Sequence, residues 1–272
     1  MGLVFVPTPL GNLRDVTLRA VDTLRDASLI VAEDSRVARR LLNALEIGSK
    51  EIWTYHEHNA RTAAPAILAR ARTEIVAVVS DAGTPGISDP GSALVAAARE
   101  DGIAVEVLPG PAAFVCAAVL SGFDLRRFAF AGFPPRTGGP RRAAFRAALG
   151  ETTVWYESPH RIVESLGDVA AVAPGRRVFL VRELTKLHEQ QVLGTASEVA
   201  AALEVPVRGE IAFVVEGGTP EAVEPAEIDL DAAIDALMAE GLTTSAIAKR
   251  LADAGHGERR HLYARVGERR KS

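Results

Sequence analysis

At 272 residues, with 48% hydrophobic and 24% charged side chains, the chain has the composition of a globular protein that buries a real core, which excludes a disordered one. Its single cysteine, Cys116, excludes a disulfide framework and every multi-thiolate metal site. A net charge of −4 argues against indiscriminate binding of nucleic acid by the whole surface.

Short apolar runs alternate with longer amphipathic ones through the first half. They predict strands over Leu3–Val6, Leu29–Ala32, Ile52–Tyr55, Ile75–Ser80 and Val105–Leu108. Between the first two, Val16, Ala20, Val21 and Leu24 recur at helical spacing and make Asp15–Asp26 a crossover helix. Pro90–Glu100 and Ala112–Leu120 read as helices too, with Cys116 as a core thiol. Strands separated by helices imply a parallel sheet buried on both faces. The rhythm breaks at Ser121–Asp124, which predicts a domain boundary. Strands follow near Phe128–Gly132, Thr153–Tyr156, Val178–Val181 and Ile211–Glu216, with helices near Arg141–Leu149, Arg161–Val169 and Ser197–Leu203. A Gly/Pro/Glu-rich linker, Gly217 through Pro225, leads to three short helices over Leu230–Ala239, Thr244–Ala252 and Arg259–Val266, in the manner of a helix-turn-helix unit. The expected division is 1–120, 121–222 and 223–272. The opening Met1–Val6 lacks the basic region and long apolar stretch of a secretion signal, and no apolar run reaches membrane-spanning length. A cytoplasmic protein without membrane contact is expected.

Charge is unevenly spread. Arg126, Arg127, Arg136, Arg141, Arg142 and Arg146 fall between Leu125 and Gly150 with no acidic residue among them. From Gly241 onward, Lys249, Arg250, Arg259, Arg260, Arg265, Arg269, Arg270 and Lys271 face only Asp253, Glu258 and Glu268. Two basic patches on an acidic body suit a local polyanion site or, more plainly, solvated helix faces.

Chemistry concentrates in loops at strand ends. The strand ending at Val79 runs into Ser80-Asp81-Ala82-Gly83-Thr84-Pro85-Gly86-Ile87-Ser88-Asp89-Pro90-Gly91. In an open parallel sheet, ligands lie in the crevice outside the carboxyl ends of the strands, where this loop falls. Gly83 and Gly86 permit close backbone approach, and Pro85 and Pro90 stiffen the loop. Comparable loops follow other strands: Pro7–Asn12, Leu108–Ala112, Tyr156–Arg161 and Arg182–Lys186. One such loop is a rigid turn; several in succession predict a composite cleft. Rival chemistries find no support, because no P-loop, no dinucleotide-binding glycine motif after the first strand and no nucleophile elbow is present. His56 and His58, beside Glu57, read as polar loop residues rather than metal ligands, so no metal is expected.

In their order these loops resemble the tetrapyrrole methylase superfamily of S-adenosylmethionine-dependent transferases. The resemblance rests on Thr8–Asp15, Ala32–Arg36, Ser80–Gly91, Pro109–Pro111, Phe133–Arg136, Tyr156–Arg161, Arg182–Lys186 and Gly209-Glu210, and covers nearly the whole chain. It implies two α/β domains with the cofactor cleft between them, a small C-terminal helical extension, and a homodimer. It places Asp81, Ala82, Gly83, Thr84 and Ile87 at the methionine and ribose parts of S-adenosylmethionine. Ala112, Ala113, Leu184, Ile211 and Ala212 would line the adenosine pocket, with Pro9 and Tyr156 also on the cofactor side. Thr8–Asn12 replaces the more glycine-rich first loop of the tetrapyrrole-modifying members. That departure points to the RNA-modifying branch and to a cytidine 2′-hydroxyl of small-subunit (16S) ribosomal RNA, within the subunit. A ribose hydroxyl needs a base within about 3 Å, and Glu157, His160, Glu183 and Lys186 are the candidates, with Glu33 and Asp34 in reserve. Arg36, Arg136, Arg141, Arg142, Arg161, Arg259 and Arg260 would meet phosphates. The alternatives are a precorrin or uroporphyrinogen C-methyltransferase and a non-catalytic RNA-binding assembly protein with a vestigial cleft.

Overall fold

A computed structural model describes residues 1–56, 58–88, 91–218, 229–253, 256 and 259–270. Glu57, Asp89, Pro90, the linker residues 219–225, Glu258 and Lys271, all named above, lie outside the described residues, as does the side chain of Asp253. The chain divides into two compact units, Met1–Gly217 and Gly218–Ser272.

The first unit opens with β1 (Gly2–Phe5), β2 (Leu29–Ala32), β3 (Glu51–Thr54), β4 (Ile75–Val79) and β5 (Val105–Val107). They form a parallel sheet in the order β3-β2-β4-β1-β5. Because successive strand side chains point to opposite faces, each strand feeds two cores. Leu29 and Val31 pack beneath α3 (Ala60–Ala71) and α4 (Ser92–Glu100), while Ile30 and Ala32 pack beneath α1 (Leu18–Asp26) and α2 (Ser35–Ala44). The predicted crossover helix starts later than expected. Asn12 caps a 3-10 turn over Leu13–Asp15, and the Thr17 hydroxyl accepts from the Ala20 amide at 3.1 Å to begin α1 anew. The sequence patterns predict neither α2 nor α3.

The second sheet contains β6 (Phe128–Gly132), β7 (Thr152–Glu157), β8 (Arg177–Arg182), β9 (Gln190–Thr195) and β10 (Ile211–Val215), in the order β6-β7-β10-β8-β9. Only β6 and β7 run parallel; the other pairs are antiparallel. The edge strand β9 was not expected. Helices α6 (Gly138–Ala148), α7 (Ile162–Val172) and α8 (Ala196–Ala201) cover one face around Phe145, Trp155, Leu166, Val199 and Phe213. The other face is covered by α5 (Ala113–Ser121), whose Ala117 and Ala118 meet Val154, Phe179, Val181 and Val214. Thus α5 follows the last strand of the first sheet but packs on the second. Its course brings the loops of both sheets to one place.

The second unit is three helices, α9 (Leu230–Ala239), α10 (Thr244–Asp253) and α11 (Arg259–Arg269), around Ile234, Ile247, Leu251, Leu262 and Val266. Ion pairs Arg265–Asp231 at 2.9 Å and Arg269–Asp235 at 2.5 Å join α11 to α9. Among the described residues, no helix is long and apolar enough to cross a membrane.

Candidate active site

In the order β3-β2-β4-β1-β5 the chain leaves β1 toward β2 and leaves β4 toward β5. The loops after these adjacent strands therefore diverge and open a crevice, the switch point at which such sheets bind ligands. The two loops are tied by paired backbone bonds, Thr8 N to Gly83 O at 2.9 Å and Gly83 N to Thr8 O at 3.0 Å. The Thr8 hydroxyl donates to Ser80 O at 3.2 Å, and the Ser80 hydroxyl to Gly83 O at 3.1 Å. Gly83 at φ +80° takes a conformation that a side chain would strain. The third loop joins through Thr84 Oγ1 to Pro111 O at 2.8 Å. There Gly110 lies so close to Pro7 that a Cβ would sit 2.5 Å from the proline Cβ. Rigid partners at contact distance hold this wall.

The opposite wall comes from the second sheet. Ile211 and Ala212 begin β10, Tyr156 and Glu157 end β7, and residues 183–186 turn out of β8. Tyr156 stacks edge-on against Phe130 with centroids 4.8 Å apart, and its hydroxyl accepts from the Phe114 amide at 3.1 Å. Glu183 and Thr185 hold positive φ values, 53° and 63°, which cost energy for side-chain-bearing residues and persist only where neighbours enforce them. The neighbours do so. Glu183 N donates to Glu210 O at 2.9 Å, and Glu210 N to Glu183 Oε1 at 3.0 Å. Asn12 N donates to Thr185 Oγ1 at 3.1 Å, and the absent Cβ of Gly11 leaves room for Leu184, Thr185 and Lys186. This seam joins the first loop of one sheet to the strained loop of the other.

Between the walls is a cavity of about 390 Å³. Ala82, Gly83, Thr84, Ile87, Ala112 and Ala113 line it from the first side and Tyr156, Leu184, Ile211 and Ala212 from the second, all of them named from the sequence. Pro9 and Asp81 are not in its lining. Asp81 lies next to it, exposed, and its Oδ1 accepts from the Asp34 amide at 3.2 Å. Leu10, Ser88, Phe133, Ser158, Pro159, Val181, Gly209 and Glu210 also line the cavity and were missed. All of these but Val181 fall within the motifs that carry the family resemblance, which is the signal that points to them.

The candidate bases fall into distinct settings. Glu157 lines the cavity but is only 2% exposed, accepting from Ser158 N at 2.7 Å and Ser165 Oγ at 2.6 Å and pairing with Arg161 at 2.5 Å. His160 is exposed and outside the lining. Lys186 Nζ bridges Glu183 at 2.8 Å and Glu210 at 3.0 Å. Burial works to lower the Lys186 pKa, but the pairs with Glu183 and Glu210 outweigh it and raise it; Glu183 is lowered by its bond from Lys186. At the reserve positions, desolvation and then the Asp81 charge raise Glu33, while the bond from Arg36 holds Asp34 well below the usual carboxylate range. Asp81 is raised by desolvation, with Asp34 and Glu210 adding to it. Of these carboxylates Glu210 lines the cavity and Asp81 lies beside it.

One expected phosphate contact is corrected. Arg141 is fully buried, its guanidinium held by Asp168 at 2.7 Å and Glu164 at 2.6 Å, so no phosphate reaches it. The sequence showed only a basic run, while its partners lie on α7. Arg142 shares Asp168 at 2.8 Å and stays half-exposed. Arg136 is exposed, Arg161 is committed to Glu157, and Arg36 is exposed but paired with Asp34 at 2.6 Å. Arg259 and Arg260 are exposed on α11 in the second unit. The rings of His56 and His58 meet at 5.9 Å, and no group of three or more potential metal ligands occurs among the described residues.

Residues 2–200 match the model of the family described as Tetrapyrrole (Corrin/Porphyrin) Methylases. A protein of Synechocystis sp. called ribosomal RNA small subunit methyltransferase I is 40% identical over 97% of this chain and 96% of its own. One of the same name from Halalkalibacterium halodurans is 44% identical over 83% of this chain and 79% of its own. Among solved structures, a uroporphyrin-III C-methyltransferase from Thermus thermophilus complexed with S-adenosyl homocysteine superposes with TM-score 0.58 at 20% identity, covering 79% of this chain and 97% of that one. A cobalt precorrin-4 methyltransferase does so with TM-score 0.61 at 15% identity, over 79% and 94%. At those identities the structural likeness speaks for the fold.

Proposed function

The chain belongs to the tetrapyrrole methylase family, and from that membership we propose that it methylates a cytidine 2′-hydroxyl in small-subunit (16S) ribosomal RNA, with S-adenosylmethionine as donor. The observation that carries this reading is identity of 40% along essentially the whole of both chains to a protein named for small-subunit ribosomal RNA methylation. The two solved tetrapyrrole enzymes, at 20% and 15% identity, match in fold.

The cavity fits the donor. Its volume of about 390 Å³ lies in the range of small-molecule sites, and Ala112, Ala113, Leu184, Ile211 and Ala212 offer an apolar slot for an adenine ring. Asp81, beside the cavity, complements the amino group of the donor. S-adenosylmethionine supplies the electrophilic methyl, and no metal is needed. The protein's task is to hold an acceptor hydroxyl in line with it, and stiff loops suit that task. Glu157 and Arg161 anchor the Tyr156–Arg161 loop. Of the remaining carboxylates, Glu210 lines the cavity and is exposed. It takes the hydroxyl proton, with Lys186 and Glu183 fixing its position. Arg36, Arg136 and Arg142 meet phosphates around the mouth. The working form is a cytoplasmic homodimer, as the family resemblance implies; a light-scattering mass of one chain would remove the dimer.

The test is transfer of labelled methyl from S-adenosylmethionine to small ribosomal subunits purified from cells lacking the protein, followed by mass mapping of the RNA. Label on one cytidine ribose is expected. Label on a base, or none in RNA, overturns the reading.

A further inference from the structure

In the second unit most basic side chains are already committed. Arg250 pairs with Glu240, Arg265 with Asp231 and Arg269 with Asp235, and Arg270 donates to the Leu242 carbonyl. Lys249, Arg259 and Arg260 are exposed and make no ion pair among the described residues; Arg259 reaches only the Ser245 hydroxyl, at 3.3 Å. Ser245 and Lys249 are one turn apart on α10, so Lys249 shares the stripe of α10 that Arg259 touches.

The same helix sorts its other residues by face. Leu262 and Val266 point into the core, with Arg265 and Arg269 tied to α9 on that side. At the helical period Arg260, Tyr263, Ala264 and Gly267 fall on the opposite stripe, with Arg259 at its margin. Tyr263 is 53% exposed, and a Cβ at Gly267 would meet nothing within 4 Å. The face therefore carries one flat aromatic ring, uncommitted cations beside it, and small residues that let a chain approach the helix backbone.

We propose that this face of α11 docks an unpaired stretch of RNA, a base stacking on the Tyr263 ring while Arg259, Arg260 and Lys249 meet the flanking phosphates. The inference rests on the RNA-methylating function proposed above and adds a binding surface in the other unit. Charge selects the occupant. A second copy would set like cations against each other, and a protein partner would find a single aromatic without an apolar surround. Aromatic stacking with backbone cations is how proteins hold single strands without reading sequence.

The experiment measures binding of a fluorescein-labelled, mixed-sequence single-stranded RNA to the full chain by anisotropy, across a salt series, beside calorimetry with S-adenosyl homocysteine. Tyr263→Ala is expected to weaken RNA binding roughly tenfold, while Tyr263→Phe, which keeps the stacking ring, binds as the parent does. R259A/R260A together should flatten the salt slope by about 1.4, the release expected for two phosphate contacts on a single strand. S-adenosyl homocysteine affinity should stay at the parent value throughout. Parent-like RNA affinity of Tyr263→Ala, an equal loss in Tyr263→Phe, or an unchanged slope in the double variant overturns this surface. If the parent still methylates subunits in those cases, the proposed function survives; if the parent methylates no RNA, the function itself falls.

Discussion

Single atoms decide how tightly the crevice is built. Gly110 faces the Pro7 ring, with positions 2.5 Å and 2.8 Å from a built Cβ occupied by proline Cβ and Cγ. A proline ring has no rotamer to give way, so Gly110→Ala must move backbone, and overpacking of this kind costs about 1–3 kcal/mol. The variant is expected to melt earlier and to bind S-adenosyl homocysteine roughly tenfold more weakly by calorimetry. Gly139→Ala, in α6 with open space around it, serves as the comparison and should melt at or above the parent temperature. The loops that wall the cleft were legible as stiff polar turns at strand ends, while the individual residues named within them came from the family resemblance. The fate of individual charges was not legible. Arg141 reads like its neighbours in a basic run, and only the approach of Asp168 on α7 turns it inward.

At the scale of elements, the loop 183–186 is held in a strained backbone by charge as much as by hydrogen bonds. Its pH response follows from the signs. Glu183 lies below its ordinary 4.5, so its contribution is fully present above that value and lost as pH falls through the lowered one. Lys186 lies above its ordinary 10.5, so its contribution is present below that value and lost as pH rises through the raised one. The contribution of this cluster to melting temperature should accordingly be flat from about pH 5 to 10 and fall at both ends. Lys186→Met should lower the plateau and abolish the alkaline fall; a persistent alkaline limb would assign it to another group. Among the elements themselves, strands with dense β-branched runs were readable and others were not. β9 begins Gln190-Gln191 and includes Gly194, so it lacks a hydrophobic signature and owes its pairing to β8. Helix α3 carries Pro65 in its interior, a residue that argues against a helix locally. The strand directions of the second sheet depend on β10 inserting between β7 and β8, a long-range choice that no local period records.

For the molecule as a whole, the cavity is shared between two sheets, so a ligand that fills it stabilises both at once. At a free concentration one hundred times its dissociation constant, S-adenosyl homocysteine should add about 2.7 kcal/mol to the stability of residues 1–217. Hydrogen exchange should slow in β1 and β4 together with β10; protection confined to one sheet would show that the walls are not coupled. The tie from Asn12 to Thr185 has a bearing on descent as well. Asn12 and Thr185 are 173 positions apart, yet a bond joins them and a Cβ at the neighbouring Gly11 would collide with the turn that carries Thr185. A hybrid gene that took its front portion from this chain and its rear from a distant cousin would inherit mismatched halves of one latch. Recombination within this lineage is therefore expected to succeed only where both halves travel together, and crossover libraries scored for methyl transfer would reveal the forbidden junctions.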